Sequence, residues 1–133
     1  MGQKDFQQVT IVQKLIECKQ IGTMLDIIPI AREADGLAMS SRNLRLDKGI
    51  RLQADEIFKT LQYVQRRIET DNLDDLKLFA EKQLNKDPFR LEYFEIVDGN
   101  TLKPIEEYED SGYVVAVAAV DGRLGIRKGR RRR

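Results

Sequence analysis

The feature that most constrains this chain is a short apolar run that ends in a polar, glycine-containing loop. Met24-Leu25-Asp26-Ile27-Ile28-Pro29 reads as a short buried strand, and Arg32-Glu33-Ala34-Asp35-Gly36-Leu37-Ala38-Met39-Ser40-Ser41-Arg42-Asn43 follows it. A helical apolar period begins a few residues later. Loops leaving the ends of strands are where open α/β sheets place their ligands. Ser40, Ser41 and Arg42 set two hydroxyls and a forked cation side by side. With neighbouring backbone N–H groups, those donors suit a polyphosphate. The same residues also suit a plain polar turn, and spacing alone does not separate the two readings.

Upstream, Gly2 to Asp5 reads as a loop and Asp5 to about Gln20 as a helix. Val9, Val12 and Ile16 form one apolar row, and Ile11, Leu15 and Cys18 a second, so this helix expects cover over much of its surface. Gly22 suits its C-terminal turn. A helix followed by a buried-type strand resembles the last αβ unit of a parallel sheet. Downstream, Asp47 is an N-cap candidate. Ile50, Ala54, Ile57, Phe58, Leu61, Val64 and Ile68 then mark one helix face to about Glu69. Asn72 with Asp75 opens a second helix, from Leu73 to about Lys86, and Pro88 closes the connection. Arg90 to Asp98 has β character, Asp98-Gly99 is a turn signal, and Thr101 to Ile105 suits a short extended piece. Val114 to Val120 is apolar throughout, long enough for a central strand buried on both faces and ended by Asp121-Gly122. No internal repeat is visible.

The expected fold class is an α/β remnant plus α+β. Residues 1–43 read as the closing segment of a doubly wound α/β domain. Residues 44–122 read as a small α+β domain with two helices and a mostly antiparallel sheet. The net charge of the 133 residues is +1, but Arg123, Arg127, Lys128 and Arg130 to Arg133 supply seven cations without one acid, leaving residues 1–122 at −6. The stretch 123–133 is expected to be a disordered basic tail. An acidic body makes a basic nucleic-acid face a poor fit. With 41% apolar and 34% charged residues, the composition is that of a globular chain. No run of about 18 apolar residues suggests a membrane span, and the start, Met-Gly-Gln-Lys-Asp, has no signal-peptide core. Cys18 is the single cysteine. It is expected to be a small buried apolar residue of a cytoplasmic protein.

The loop Arg32–Asn43 closely resembles a signature of the pantothenate synthetase (pantoate–β-alanine ligase) family. Gly2-Gln3-Lys4-Asp5-Phe6-Gln7-Gln8 resembles the family's other signature, in the same order and at similar spacing. The resemblance runs from Gly2 to about Ala119 and includes the strand-turn pattern of Leu91–Leu102. It implies a Rossmann-like nucleotide-binding domain lidded by a smaller C-terminal domain. It also implies ATP-dependent joining of pantoate to β-alanine through a pantoyl-adenylate, with Mg2+, in a cytoplasmic homodimer. By resemblance, Gly2, Gln3, Lys4, Asp5, Ala31, Met39, Ser40, Ser41 and Arg42 hold ATP. Lys4, Ser40, Ser41 and Arg42 act in catalysis, and Gln8 holds pantoate.

Without the resemblance, Lys4 is an ordinary surface lysine, Asp5 the natural N-cap of the first helix, and Met39 a packing residue. Gln8 lies one turn after Lys4 and Asp5 and shares their face; Gln7 points elsewhere and reads as structural. Asp35-Gly36 shapes the loop. Asp35 alone is no metal site, so the Mg2+ ligands are expected outside this sequence.

The chain departs from the family in two places. It contains no histidine, whereas the family carries a two-histidine nucleotide motif and a pantoate-binding glutamine in an earlier half. The catalytic set is therefore expected to be incomplete and the chain alone inactive. Gly125 to Arg133 also departs from the family's C-terminal pattern. Two other classes of reading are a non-enzymatic polyanion- or nucleic-acid-binding module acting through the arginine-rich tail, and a folded remnant that self-associates through the uncovered Met24–Ile28 edge.

Overall fold

The computed structural model describes residues 1–122; the expected disordered tail lies outside the described residues. A 3-10 turn, Gln3–Asp5, leads into helix α1 (Phe6–Cys18). Asp5 stands at the N-cap as expected, but its side chain makes no capping hydrogen bond. The C-terminal turn is made by Gln20 rather than Gly22. Gln20 adopts φ 51°, its N–H donates to Glu17 O at 3.1 Å, and the Ile21 N–H donates to Ile16 O at 3.0 Å. That pair of bonds is a Schellman closure, in which the left-handed residue satisfies the orphan carbonyls.

Met24 to Pro29 is extended but is not the buried strand expected from its composition. Met24 is 88% exposed, and Ile28 forms a single parallel bridge, to Gly2. Gln3 N–H donates to Ile28 O and Ile28 N–H to Met1 O, both at 2.8 Å. A strand needs a ladder, and only the first three residues lie alongside this segment among the described residues. Cys18 is likewise exposed, not buried. Only Phe6 and Val9 of α1 are buried, because the described residues provide no cover for the second apolar row.

The single helix expected from Asp47 to Glu69 is two: α2 (Lys48–Gln53) and α3 (Asp55–Arg67). Asp47 does cap α2, accepting the Gly49 N–H at 2.8 Å. At the break, Ala54 N–H reaches Arg51 O and Ile57 N–H reaches Ala54 O. These three-residue steps tighten the backbone and end the first helix. Helix α4 (Leu73–Leu84) starts at Asn72, whose side chain accepts the N–H groups of Asp74 and Asp75. Three helices, rather than two, therefore stand between residues 44 and 122.

Strands β1 (Phe89–Asp98) and β2 (Val114–Gly122) form a two-stranded antiparallel sheet with a bulge at Glu92. Phe94 opposes Ala118 and Ile96 opposes Ala116, so these residues share one face. That face packs on Val64 of α3 and Leu73, Leu76, Ala80 and Leu84 of α4, forming the main core. A smaller core joins Leu37, Ile50, Ala54 and Phe89.

The expectation for β2 is corrected in two ways. It is half-buried along its whole length instead of buried on both faces, because β1 is its one strand partner among the described residues. It also continues through Asp121 and Gly122, which pair with Arg90 and Phe89. Gly122 permits this because a Cβ there would fall 2.8 Å from Ile50 Cγ2. No described helix is long and apolar enough to cross a membrane.

Thr60 of α3 is 2% exposed, and its hydroxyl has no hydrogen-bond partner. A buried unpaired hydroxyl costs roughly 1–3 kcal/mol. Thr60→Val keeps the shape and removes the hydroxyl. It is expected to stabilise the chain by about 1 kcal/mol, read as a raised denaturation midpoint at unchanged slope.

Candidate functional site

The two polar stretches meet in space. Lys4 Nζ donates to the main-chain carbonyl of Met39 at 3.2 Å, across 35 positions of sequence. The Met39 N–H donates to Ala31 O at 2.9 Å. Ala31 and Met39 are therefore already coupled through their backbones.

The loop between them is built in tight steps. Arg32 and Ala38 pair in an antiparallel bridge. Glu33 N–H donates to Leu37 O at 2.8 Å, and Gly36 N–H to Glu33 O at 2.9 Å. Gly36 takes φ +90°, a conformation that favours glycine. A Cβ at Gly36 would lie 1.9 Å from Phe58 Cδ1, so the close approach requires glycine as well. Asp35 Oδ1 accepts the Leu37 N–H at 3.2 Å, and its carboxylate forms a two-pronged pair with Arg51, at 2.5 and 3.3 Å. The hydrogen bond from Arg51 holds the Asp35 carboxyl below its ordinary value of 3.8.

After Met39 the chain enters a 3-10 turn, Ser41–Arg45, capped by Ser40, whose Oγ accepts the Arg42 N–H at 3.2 Å. Asn43 Nδ2 donates to Ala38 O at 2.9 Å and ties the turn back to the loop. Ser41 and Arg42 are exposed. The Ser40 hydroxyl keeps its own proton to donate.

An open cleft of about 950 Å³ lies beside these elements, with Gln3, Lys4, Asp5 and Gln8 in its wall and α3 and the sheet opposite. Gln7, read from the sequence as pointing elsewhere, also reaches this wall. Gly2, Ala31, Met39 and Ser40–Arg42 stand outside the lining. Met39 joins the cleft through Lys4, Ala31 follows through Met39, and Gly2 lies beside Ile28. Sequence reading did not find Arg32, Arg51 and Phe58 as supports of the loop. Gly36 was the one visible signal, and nothing in the sequence names Phe58 as its neighbour.

Residues 1–126 match the family model for pantoate-beta-alanine ligase. The chain is 39% identical over 120 residues to the pantothenate synthetase of Azobacteroides pseudotrichonymphae genomovar. CFP2, and 42% identical over 122 residues to that of Bacteroides thetaiotaomicron. Each match covers 90% of this chain and 43% of the relative.

A crystal structure of pantoate-beta-alanine ligase (pantothenate synthetase) from Thermus thermophilus matches with a TM-score of 0.75 at 28% identity, over 80% of this chain and 40% of that one. The ligase from Francisella tularensis, solved with beta-gamma ATP and beta-alanine, matches with a TM-score of 0.50 at 28% identity, over 71% of this chain and 33% of that one. The class these matches define is a ligase. The chain belongs to the pantoate-beta-alanine ligase family, and it spans less than half the length of the relatives it matches.

Because the folded-state pKa of Asp35 is depressed, its pair with Arg51 contributes stability that is fully present above the ordinary carboxylate value. That contribution is lost as pH falls through the lower folded value. Asp35→Asn is expected to flatten this part of the acid limb, seen as a smaller loss of melting temperature below about pH 4 than in the parent chain.

Proposed function

We propose that this chain carries the nucleotide-gripping part of a pantothenate synthetase. The whole enzyme then condenses pantoate with β-alanine at the expense of ATP, giving pantothenate, AMP and pyrophosphate. The observation that carries this reading is the Lys4–Met39 contact. It ties a movable cation to the main chain just before Ser40, Ser41 and Arg42, and Gln8, in the first turn of α1, lines the adjoining cleft.

In the proposed chemistry, the pantoate carboxylate attacks the α-phosphate of ATP and displaces pyrophosphate. The β-alanine amine then attacks the acyl carbon of the pantoyl-adenylate, and AMP leaves. The nucleophile and the phosphate are both anionic. Fixed positive charge and in-line placement therefore supply most of what the site must do. Lys4 and Arg42 balance charge growing on the phosphates, and the Ser40 and Ser41 hydroxyls donate to phosphate oxygens. The main chain at Ala31 holds adenine, that at Met39 contributes to the nucleotide site, and Gly2 and Asp5 lie along the ribose, where Gly2 allows close backbone approach. The Gln8 amide, both donor and acceptor, suits a hydroxy acid.

Mg2+ would be supplied with the ATP in this reading and would help neutralise phosphate charge. Among the described residues, no group of three or more His, Cys, Asp or Glu side chains is placed to hold a metal ion, and Asp35 is committed to Arg51. We further propose that residues 1–43 close a Rossmann-like domain, that 44–122 form its lid, and that the intact enzyme is a homodimer. We place the reaction in the cytoplasm, where a lone cysteine stays reduced.

The test is a ¹⁵N NMR titration with Mg-ATP, on the full chain and on a chain ending at Gly122. Shifts at Lys4, Asp5 and Met39–Arg42 are expected in both, with affinity at least tenfold weaker in Lys4→Ala. Shifts confined to Arg123–Arg133 would overturn the reading. The chain alone is expected to make no pantothenate, because it holds no histidine to complete the catalytic set.

A further inference from the structure

We propose that Phe58 and Arg51 are positioning residues for the Ser40–Arg42 grip, so that this loop takes its place from helices α2 and α3. The inference deepens the functional reading above and rests on it for the identity of the ligand, a nucleoside triphosphate. Its mechanical part stands on contacts alone.

Three contacts fasten the start of the loop to the helical part of the molecule. The Phe58 ring lies against Gly36 so closely that a Cβ would fall 1.9 Å away. The same ring carries the Arg32 guanidinium 4.5 Å from its centroid, while Arg32 Nη1 donates to Gly36 O at 3.0 Å. One aromatic side chain of α3 thus fixes both ends of the Arg32–Gly36 turn. Arg51 of α2 holds Asp35 from the other side. Between these two clamps Leu37 is buried with Ile50, Ala54 and Phe89. By contrast, the ties toward the N-terminal turn include the Lys4–Met39 bond, exposed to water, and the Met39–Ala31 bond.

The consequence is geometric. Ser40 follows Leu37 by three residues, and Asn43 returns to Ala38, so the whole turn inherits its position from the seat of Leu37 and Gly36.

The test uses the full chain with Phe58→Leu, Phe58→Tyr and Arg51→Met. Amide hydrogen exchange is measured at Met39 and Asn43, whose N–H groups bond to Ala31 O and Ser40 O, with Mg-ATP affinity measured in parallel. Phe58→Leu is expected to raise exchange at Met39 and Asn43 at least tenfold and to leave the β1 and α4 amides unchanged. Phe58→Tyr restores protection, and Arg51→Met shows a smaller rise at the same two amides. Mg-ATP affinity should fall at least tenfold in Phe58→Leu and recover in Phe58→Tyr.

Unchanged exchange at both amides in Phe58→Leu would overturn the positioning role. Should Phe58→Leu lose its folded spectrum, Arg51→Met decides on the same two amides. If the parent chain binds no Mg-ATP while exchange responds as stated, the mechanical coupling holds and the nucleotide reading fails.

Discussion

At Gly36 the backbone turns with φ +90° against the face of Phe58, and the rest of the polar loop is placed by that contact. With the turn seated there, Leu37 drops into the cluster of Ile50, Ala54 and Phe89. Burying a leucine is worth about 1.5–3 kcal/mol. The Asp35–Arg51 pair is partly exposed, and water screens such pairs. Packing therefore sets where the loop lies, and the ion pair sets its orientation. Ala38 and Met39 then have a fixed route past Ala31, which brings the Met39 carbonyl within reach of Lys4.

The two sides of the candidate site rest on unequal foundations. The loop stands on helices that share a core with the sheet. Helix α1, which follows the turn that carries Lys4 and holds Gln8 in its own first turn, buries only Phe6 and Val9, while Ile11 and Leu15 remain 58% and 51% exposed. Its contacts with the rest include the edge-on approach of Phe6 to Tyr113, with ring centroids 6.1 Å apart. Stability in such a chain is not uniform. The α2–α4 and sheet region has the contact density of a cooperative unit, and α1 with the Met24–Ile28 segment does not.

What could be read from the sequence divides along the same physical line. Local chemistry was legible: Asp47 and Asn72 cap their helices, Asp98-Gly99 turns the chain, and the β character of Arg90–Asp98 is real. Each of these depends on neighbours within a few residues. Properties that depend on distant partners were not. Met24–Ile28 and Val114–Val120 have the composition of buried strands, but burial needs adjacent strands, and composition cannot say whether they are there. The break at Ala54 was hidden because the apolar period runs through it: Ile50 and Ala54 serve one cluster and Val64 the other. In the site, the pairing of the Gly2–Gln8 and Arg32–Asn43 stretches was expected from resemblance, whereas Phe58 as the seat of Gly36 could come only from coordinates.

Electrostatics constrains the proposed function of this site. Residues 1–122 carry a net charge of −6, so the body as a whole does not attract a polyphosphate. Attraction has to come from cations in place, and Lys4 and Arg42 are both exposed. A charge pair at 4 Å is worth about 1 kcal/mol in water and about 4 kcal/mol at the effective dielectric near a protein surface. In the proposed function, such cations hold a phosphate several-fold more strongly where water is excluded, and the seat of the loop on α2 and α3 is what keeps Arg42 in place for that contact.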